Sequence, residues 1–488
     1  MMRFYARMKF AAAGLCLLLA GSLPVAADDA AFLAAARAGD ATRLTALLGA
    51  GANPNAATPT GETALHFAAE SGDLAAAQRL VQAGAKVATN RYGVSPLFAA
   101  CELGHAPLIA LLLDAGASVN ASLPDGRTPL MVAAQTGRPD AVKLLLARGA
   151  EPNAREPAQD QTALMWAAAE GNRDAVAELL RAGAEVGAKS KGGFSAFLFA
   201  VRQGHHDVAR VLLEAGASAN DSVGLKPGGP SALSLAVTNA HYELGAWLIG
   251  AGADPNYTWS GRTVLHLLTW VRRPGAGSND PAPEGSGKMS DLEFVRFLVA
   301  HGADVNRRRT ASGGPRTTLN LKGATPFLLA ARTADAELMR LLVELGADPS
   351  IPNADGTTPL LAAAGVDVQS PGEDPGTEEE VFEAVKLAVE LGNDVNAVDQ
   401  NGNTALHGAA LKWATSSVPY LVSKGAKIEV WNRPNQNGWT PLRIATGVYR
   451  GMNLRGSPQT AAALREIMAA AGVSTEVEPQ KNPNGGIK

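Results

Sequence analysis

Across 488 residues the formal net charge is only −3, from 43 basic and 46 acidic side chains, so no excess of positive charge is available to hold a nucleic acid backbone. Two cysteines exclude a disulfide-built scaffold, and no apolar run reaches the ~20 residues that a bilayer-spanning helix needs. Glycine is abundant, at 52 residues, and its placement turns out to be periodic.

The chain opens with Arg3, Arg7 and Lys9 ahead of an apolar stretch from Phe10 to Ala20, followed by Val25-Ala-Ala27. This order of basic, apolar and small residues predicts a secretory signal peptide over residues 1–27, cleaved before Asp28. Leu15 before Cys16 is too large for a lipid-attachment motif. Cleavage removes three basic residues and no acidic one, taking the net charge from −3 to −6, and leaves Cys101 as the one cysteine. The expected location is therefore periplasmic or secreted, as a monomer without membrane insertion. Asn-x-Ser/Thr triplets at Asn120, Asn220 and Asn256 all fall at one recurring position, so they are read as part of a pattern rather than as glycan acceptors.

That pattern begins in full at Gly61-Glu-Thr-Ala-Leu-His-Phe-Ala-Ala-Glu-Ser-Gly72 and closes at Gly84-Ala-Lys-Val. Its anchoring hydroxyl returns at Thr63, Ser95, Thr128, Thr162, Ser195, Ser231, Thr263, Thr325, Thr358, Thr404 and Thr440. The step is about 33 residues wherever nothing is inserted, and a fixed period of that size means stacked supersecondary units. In the unit from Asp125, Thr128 is placed to cap a helix whose first position is Pro129, where a missing N–H costs nothing. Leu130, Ala133 and Ala134 share one face, small enough for a neighbouring helix to approach closely. Gly137 ends this helix. A second runs from Asp140 to Ala147 with Val142, Leu144, Leu145 and Leu146, and Gly149 stands where a left-handed cap favours glycine.

Thr-Pro-Leu-His variants opening a first helix, with Gly-Ala-Asp-Val-Asn variants after a second, resemble the ankyrin repeat over nearly the whole chain. The resemblance implies an all-α solenoid of about eleven helix-turn-helix repeats across residues 61–473, preceded by an N-terminal capping half-repeat at 28–60 and followed by a disordered tail at 474–488. It also implies a face, made of projecting hairpins and first helices, that binds a protein partner. No cofactor or metal is expected. His66, His266 and His407 follow the first-helix leucine, where ankyrin-like repeats bond the imidazole to the capping threonine. No haem, zinc-protease, nucleophile-elbow or phosphate-loop motif occurs.

Four insertions break the array, at 274–289, 307–322, 367–376 and 450–456. The helices after three of them restart with their own signals. Ser290-Asp-Leu-Glu293 and Thr377-Glu-Glu-Glu380 form capping boxes, and Ser457-Pro458 pairs an N-cap with a first-turn proline. The remaining insertion lengthens a hairpin and carries Arg307-Arg308-Arg309. The unit after Thr358, with Ala364-Gly-Val366 in place of a full helix end, is expected to be the most weakly coupled. Trp259, Trp270, Trp413, Trp431 and Trp439 map on or beside the binding face, with Tyr92, Phe194 and Arg308 extending the set; aromatic residues and arginine are those that most often dominate binding. Trp166 and Trp247 are read as packing residues. The alternatives are an enzyme whose site is built from the insertion loops, and an exported effector acting on a host protein.

Overall fold

Each of the eleven anchoring hydroxyl residues stands immediately before a helix, from Thr63 before Ala64–Ser71 to Thr440 before Pro441–Thr446. The cause is local. In seven of these residues, among them Thr128 and Thr325, the hydroxyl accepts the otherwise orphaned amide three residues on, as in Met131 N to Thr128 Oγ1 (3.3 Å) and Leu328 N to Thr325 Oγ1 (3.2 Å), and in Thr63, Thr263 and Thr404 it bonds a histidine ring instead. The computed structural model describes residues 25–226, 228–274, 283–312, 319–368, 375–450 and 453–477. Most of the expected signal peptide, the middles of the four insertions and most of the tail lie outside them.

The chain divides into two contact units, Met1–Ala133 with Ala147–Ala150, and Ala134–Leu146 with Glu151–Lys488. In the first, Val25–Arg37, Ala64–Ser71 and Pro96–Leu103 pack in succession, and Ala41–Gly49, Leu74–Gln82 and Ala106–Asp114 form the second layer. The segment expected to be a half-repeat thus holds a complete helix pair, its second helix capped by Asp40, which accepts the Arg43 amide. In the second unit the same two-layer packing runs from Ala163–Ala169 to Pro458–Ala470. Alanine pairs such as Ala167–Ala168, Ala330–Ala331 and Ala362–Ala363 are fully buried and set the close spacing of the first helices.

An asparagine ladder joins successive units. Asn256 Nδ2 donates to Gly302 O (2.7 Å) while its Oδ1 accepts the Asp304 amide (2.8 Å), and Asn153, Asn220, Asn306 and Asn396 repeat both bonds. In the first unit Asn55 does the same with Gly84 and Lys86. The triplets at Asn120, Asn220 and Asn256 thus reflect a structural role for the asparagine, each amide engaging the carbonyl of the glycine that ends a second helix.

The restart signals act as read from the sequence. Ser290 with Glu293 and Thr377 with Glu380 form reciprocal capping boxes, and Ser457 accepts the Thr460 amide. Two elements lie outside that reading. At the 450–456 insertion, expected to be a loop, Val448–Arg450 pairs antiparallel with Asn453–Arg455, and Ile428–Trp431 forms an extra helical turn.

In the unit expected to be the most weakly coupled, the described side chains are closely packed. Its first helix, Pro359–Ala364, is short and ends at Gly365, but Val366 and Val368 then turn back into the core. The next first helix, Ala405–Lys412, comes so close that a Cβ on Gly408 would lie 2.7 Å from Val366 N and 3.0 Å from Ala364 C. Helix propensity favours Ala over Gly by ~1 kcal/mol, whereas overpacking costs about 1–3 kcal/mol. Gly408→Ala is therefore expected to lower the melting temperature by several degrees, while Gly250→Ala, at an open helix end, leaves it unchanged or raised; equal melting of the two would contradict this contact.

The three first-helix histidines are held neutral. Nδ1 accepts the threonine amide at 3.1 Å for His66 and 3.2 Å for His266 and His407, so the proton sits on Nε2, which donates to Val94, Ala324 and Trp439 carbonyls respectively at 3.1 Å. Burial is the main cause that depresses the pKa of His266 and His407 to about 4, well under the unfolded value of 6.5. The native state binds fewer protons, so this stabilisation is complete above pH ~6.5 and is lost as pH falls towards about 4, by roughly 3 kcal/mol per histidine. The urea midpoint should drop steeply between pH 7 and 4.5, and replacing both histidines with glutamine should flatten that slope. A midpoint constant over this range would contradict it.

Candidate functional site

The hairpins that precede the first helices share one backbone bond, and most fill its first position with a polar side chain, Leu123, Val223, Trp259 and Arg309 being the departures. The first hairpin residue bonds the residue just before the capping hydroxyl: Asn90 with Val94, Ser190 with Phe194, Asn353 with Thr357, Asp399 with Asn403 and Asn435 with Trp439. The side chain at this first position accepts turn amides, as when Asp399 Oδ1 takes those of Asn401 and Asn403, or the Glu156 carboxylate those of Ala158, Gln159 and Gln161. It is a short polar seal. In two neighbouring hairpins of the second unit the same place holds Trp259 and Arg309. Neither can accept an amide in that way.

These two hairpins touch. Thr310 N donates to Gly261 O at 3.0 Å, and the Arg262 guanidinium lies over the Trp259 ring, 4.5 Å from its centroid. Arg309 is only 8% exposed, and the Nε atoms of both Arg262 and Arg309 are buried with no hydrogen-bond partner. Burial first, then the charges of Arg262 and Arg332, lowers the Arg309 pKa to about 10. Below them, burial keeps His266 neutral, with Arg309 and Arg262 adding to the effect. The sequence shows Arg309 only as part of a basic run; the signal for it is its register, where no other unit carries a basic residue.

The sequence-predicted residues separate into groups. Trp270, at the end of Val264–Arg272, is 48% exposed, and Trp413, capping Ala405–Lys412, is 37% exposed. Trp413 has φ +63°, where other first helices end in glycine such as Gly204, and this left-handed conformation is costly for a bulky residue. Trp259 and Trp439 are half-buried, as is Phe194, which packs on Phe199 under Arg202. Tyr92, in the first unit, is 64% exposed. Two expectations are corrected. Trp431 is 1% exposed, because the extra turn at Ile428–Trp431 drives its ring inward, so it offers no surface. Arg308 is a tie, not a free rim charge: its guanidinium donates to Gly323 O (3.1 Å) and Pro352 O (2.9 Å), closing its own loop and reaching the next hairpin.

The insertion after Arg273 is anchored rather than folded over Trp270 in its described part. Ser286 N and Oγ both donate to His241 Nδ1, at 3.1 and 2.9 Å, while Lys288 and Met289 amides reach Glu243. A serine–histidine contact beside an open depression invites a catalytic reading, but both imidazole nitrogens are committed, Nε2 to Arg202 O, and no carboxylate orients the ring. His241 serves here as a docking post. At the base of the insertion Arg272 pairs with Asp291, fully buried Asp335 (2.8 Å) and Glu337 (3.2 Å), and Arg273 reaches Glu380 (2.9 Å), fastening the starts of three second helices. Among the described residues no group of acids, histidines and cysteines could hold a metal ion.

Comparison with known proteins accounts for the recurring parts. The ankyrin-repeat model (three copies) matches residues 31–123, 95–156, 117–190, 137–223, 164–259 and 377–451, and the single ankyrin repeat matches 322–354. Curated relatives include a palmitoyltransferase AKR1 of Lachancea kluyveri (31% identical over 32% of this chain), the neurogenic locus notch homolog protein 1 of Xenopus tropicalis (33% over 35%) and the protein lin-12 of Caenorhabditis elegans (28% over 36%). The alignments span only 18%, 7% and 10% of those proteins, so this chain matches a small part of each. With its caps, hairpins and family matches in one register, the chain belongs to the ankyrin repeat family.

Proposed function

We propose that this chain is a non-enzymatic, exported scaffold that binds a protein partner through the hairpin and first-helix face of its C-terminal repeats. The observation that carries this reading is the exposure of Trp270 and Trp413, both at first-helix ends, in an array whose large apolar side chains are otherwise mostly buried. Trp259, Phe194 and Trp439 extend that face with partly exposed rings, and Tyr92 supplies a further exposed ring in the first unit. Repeats held by hydrogen-bond ladders lose little entropy on docking, so a few aromatic anchors suffice. Family membership supports a protein as the partner class. The alignment with the transferase spans only 18% of that protein, so its activity is not carried over here.

Two expected outcomes test the reading. Trp270→Ala weakens capture of the native partner more than tenfold at unchanged melting temperature, since a central aromatic anchor contributes ~2 kcal/mol or more; a sharp fall in melting with no separate binding defect would identify the ring as packing. Export is supported by the basic, apolar and small-residue order of residues 1–27. N-terminal sequencing of the protein from the periplasm or medium should begin at Asp28. A cytosolic chain retaining Phe10 would refute export while leaving the binding face untouched.

A further inference from the structure

Arg309 is buried and Arg262 half-buried against the Trp259 ring, and one guanidinium nitrogen of each is shut away without a partner. Both Nε atoms are removed from water without an acceptor, and among the described residues neither arginine is paired with a carboxylate. Neighbouring arginines are engaged: Arg272 and Arg273 with acids, Arg308 with two carbonyls. An unmade hydrogen bond from a buried group is destabilising, more so when the group is charged, and the like charge of Arg262 acting on Arg309 adds to that. A guanidinium can only donate, so Arg309 cannot accept a turn amide as the Asp399 and Glu156 carboxylates do at this position.

We propose that Arg262 and Arg309, walled by the Trp259 ring, form a recessed receptor for one carboxylate of the protein partner, an Asp or Glu side chain or a chain terminus. The inference rests on the protein-binding reading above and specifies the chemistry of its centre. Charge complementarity selects the occupant: two donor-only guanidiniums present N–H groups suited to an acceptor-only anion, and the planar fork of arginine matches a carboxylate bidentately. The aromatic wall limits the site to a flat group and excludes water from one side, which strengthens the bond. His266, held neutral beneath, adds no competing proton at neutral pH.

The test uses the full chain and sodium acetate, with chloride as the ionic-strength control and inorganic phosphate as the competing anion. Acetate is expected to raise the melting temperature of the wild type saturably, beyond chloride, and to shift the Nε–H signals of both arginines in the 15N spectrum. Arg309→Met removes an uncompensated buried charge while keeping the stem. It should melt at or above the wild-type temperature without acetate, lose the acetate response, and capture the partner at least tenfold more weakly. Arg262→Gln should lose the acetate response as well. If Arg309→Met melts well below wild type and acetate acts no differently from chloride, Arg309 is a brace and the receptor is refuted. Phosphate acting at tenfold lower concentration than acetate overturns the carboxylate assignment. A normal acetate response together with full capture by Trp270→Ala sinks the docking face alone, whereas an acetate-indifferent protein with a Trp270→Ala defect sinks the receptor alone.

Discussion

Short helices packed in two layers leave many backbone groups without intrahelical partners, and satisfying them at every junction is the constraint on which the rest depends. The solution is repeated with little change. A hydroxyl caps the first helix, an imidazole or the hydroxyl itself closes the cap, and at seven junctions an asparagine reaches the next unit's glycine carbonyl. Because these bonds use side chains at fixed register, the period survives insertions of very different length. The cost is acid sensitivity, since the histidine version works only when the ring is neutral.

Against this regular background the departures concentrate in the second unit. Insertions enter between helices whose caps restart independently, and their bases are fastened by ion pairs such as Arg272 with Asp335, so added chain does not loosen the stack. Trp413 occupies a glycine-like conformation, and Trp259 and Arg309 replace polar seals. Each change gives up local satisfaction for a side chain of the kind that recognises another molecule. A repeat fold tolerates such losses because neighbouring junctions remain intact.

Much of this was legible in the sequence because it depends on local chemistry. Thr, Pro, Gly and Asn at fixed spacing mark where a helix starts, where it stops and where the chain turns towards the next unit, and Ser290, Thr377 and Ser457 announced the restarts. The short hairpin after Val448 was not legible, since three residues on either side of a turn carry no clear period. Register alone put Trp431 on the exposed face, but an additional helical turn rotates it inward. Arg308 and Arg309 look alike in a basic run. Only the fold distinguishes a guanidinium that finds two carbonyls from one whose Nε finds no acceptor.

The central claim is that one face, the ends of the first helices in the C-terminal repeats, meets the partner. A photoactivatable crosslinking residue placed singly at positions 270, 413 and 340 tests it directly, Arg340 lying exposed on a second helix. One and the same partner is expected to crosslink from 270 and 413, and none from 340. Equal crosslinking from all three positions, or from 340 alone, would contradict the claim.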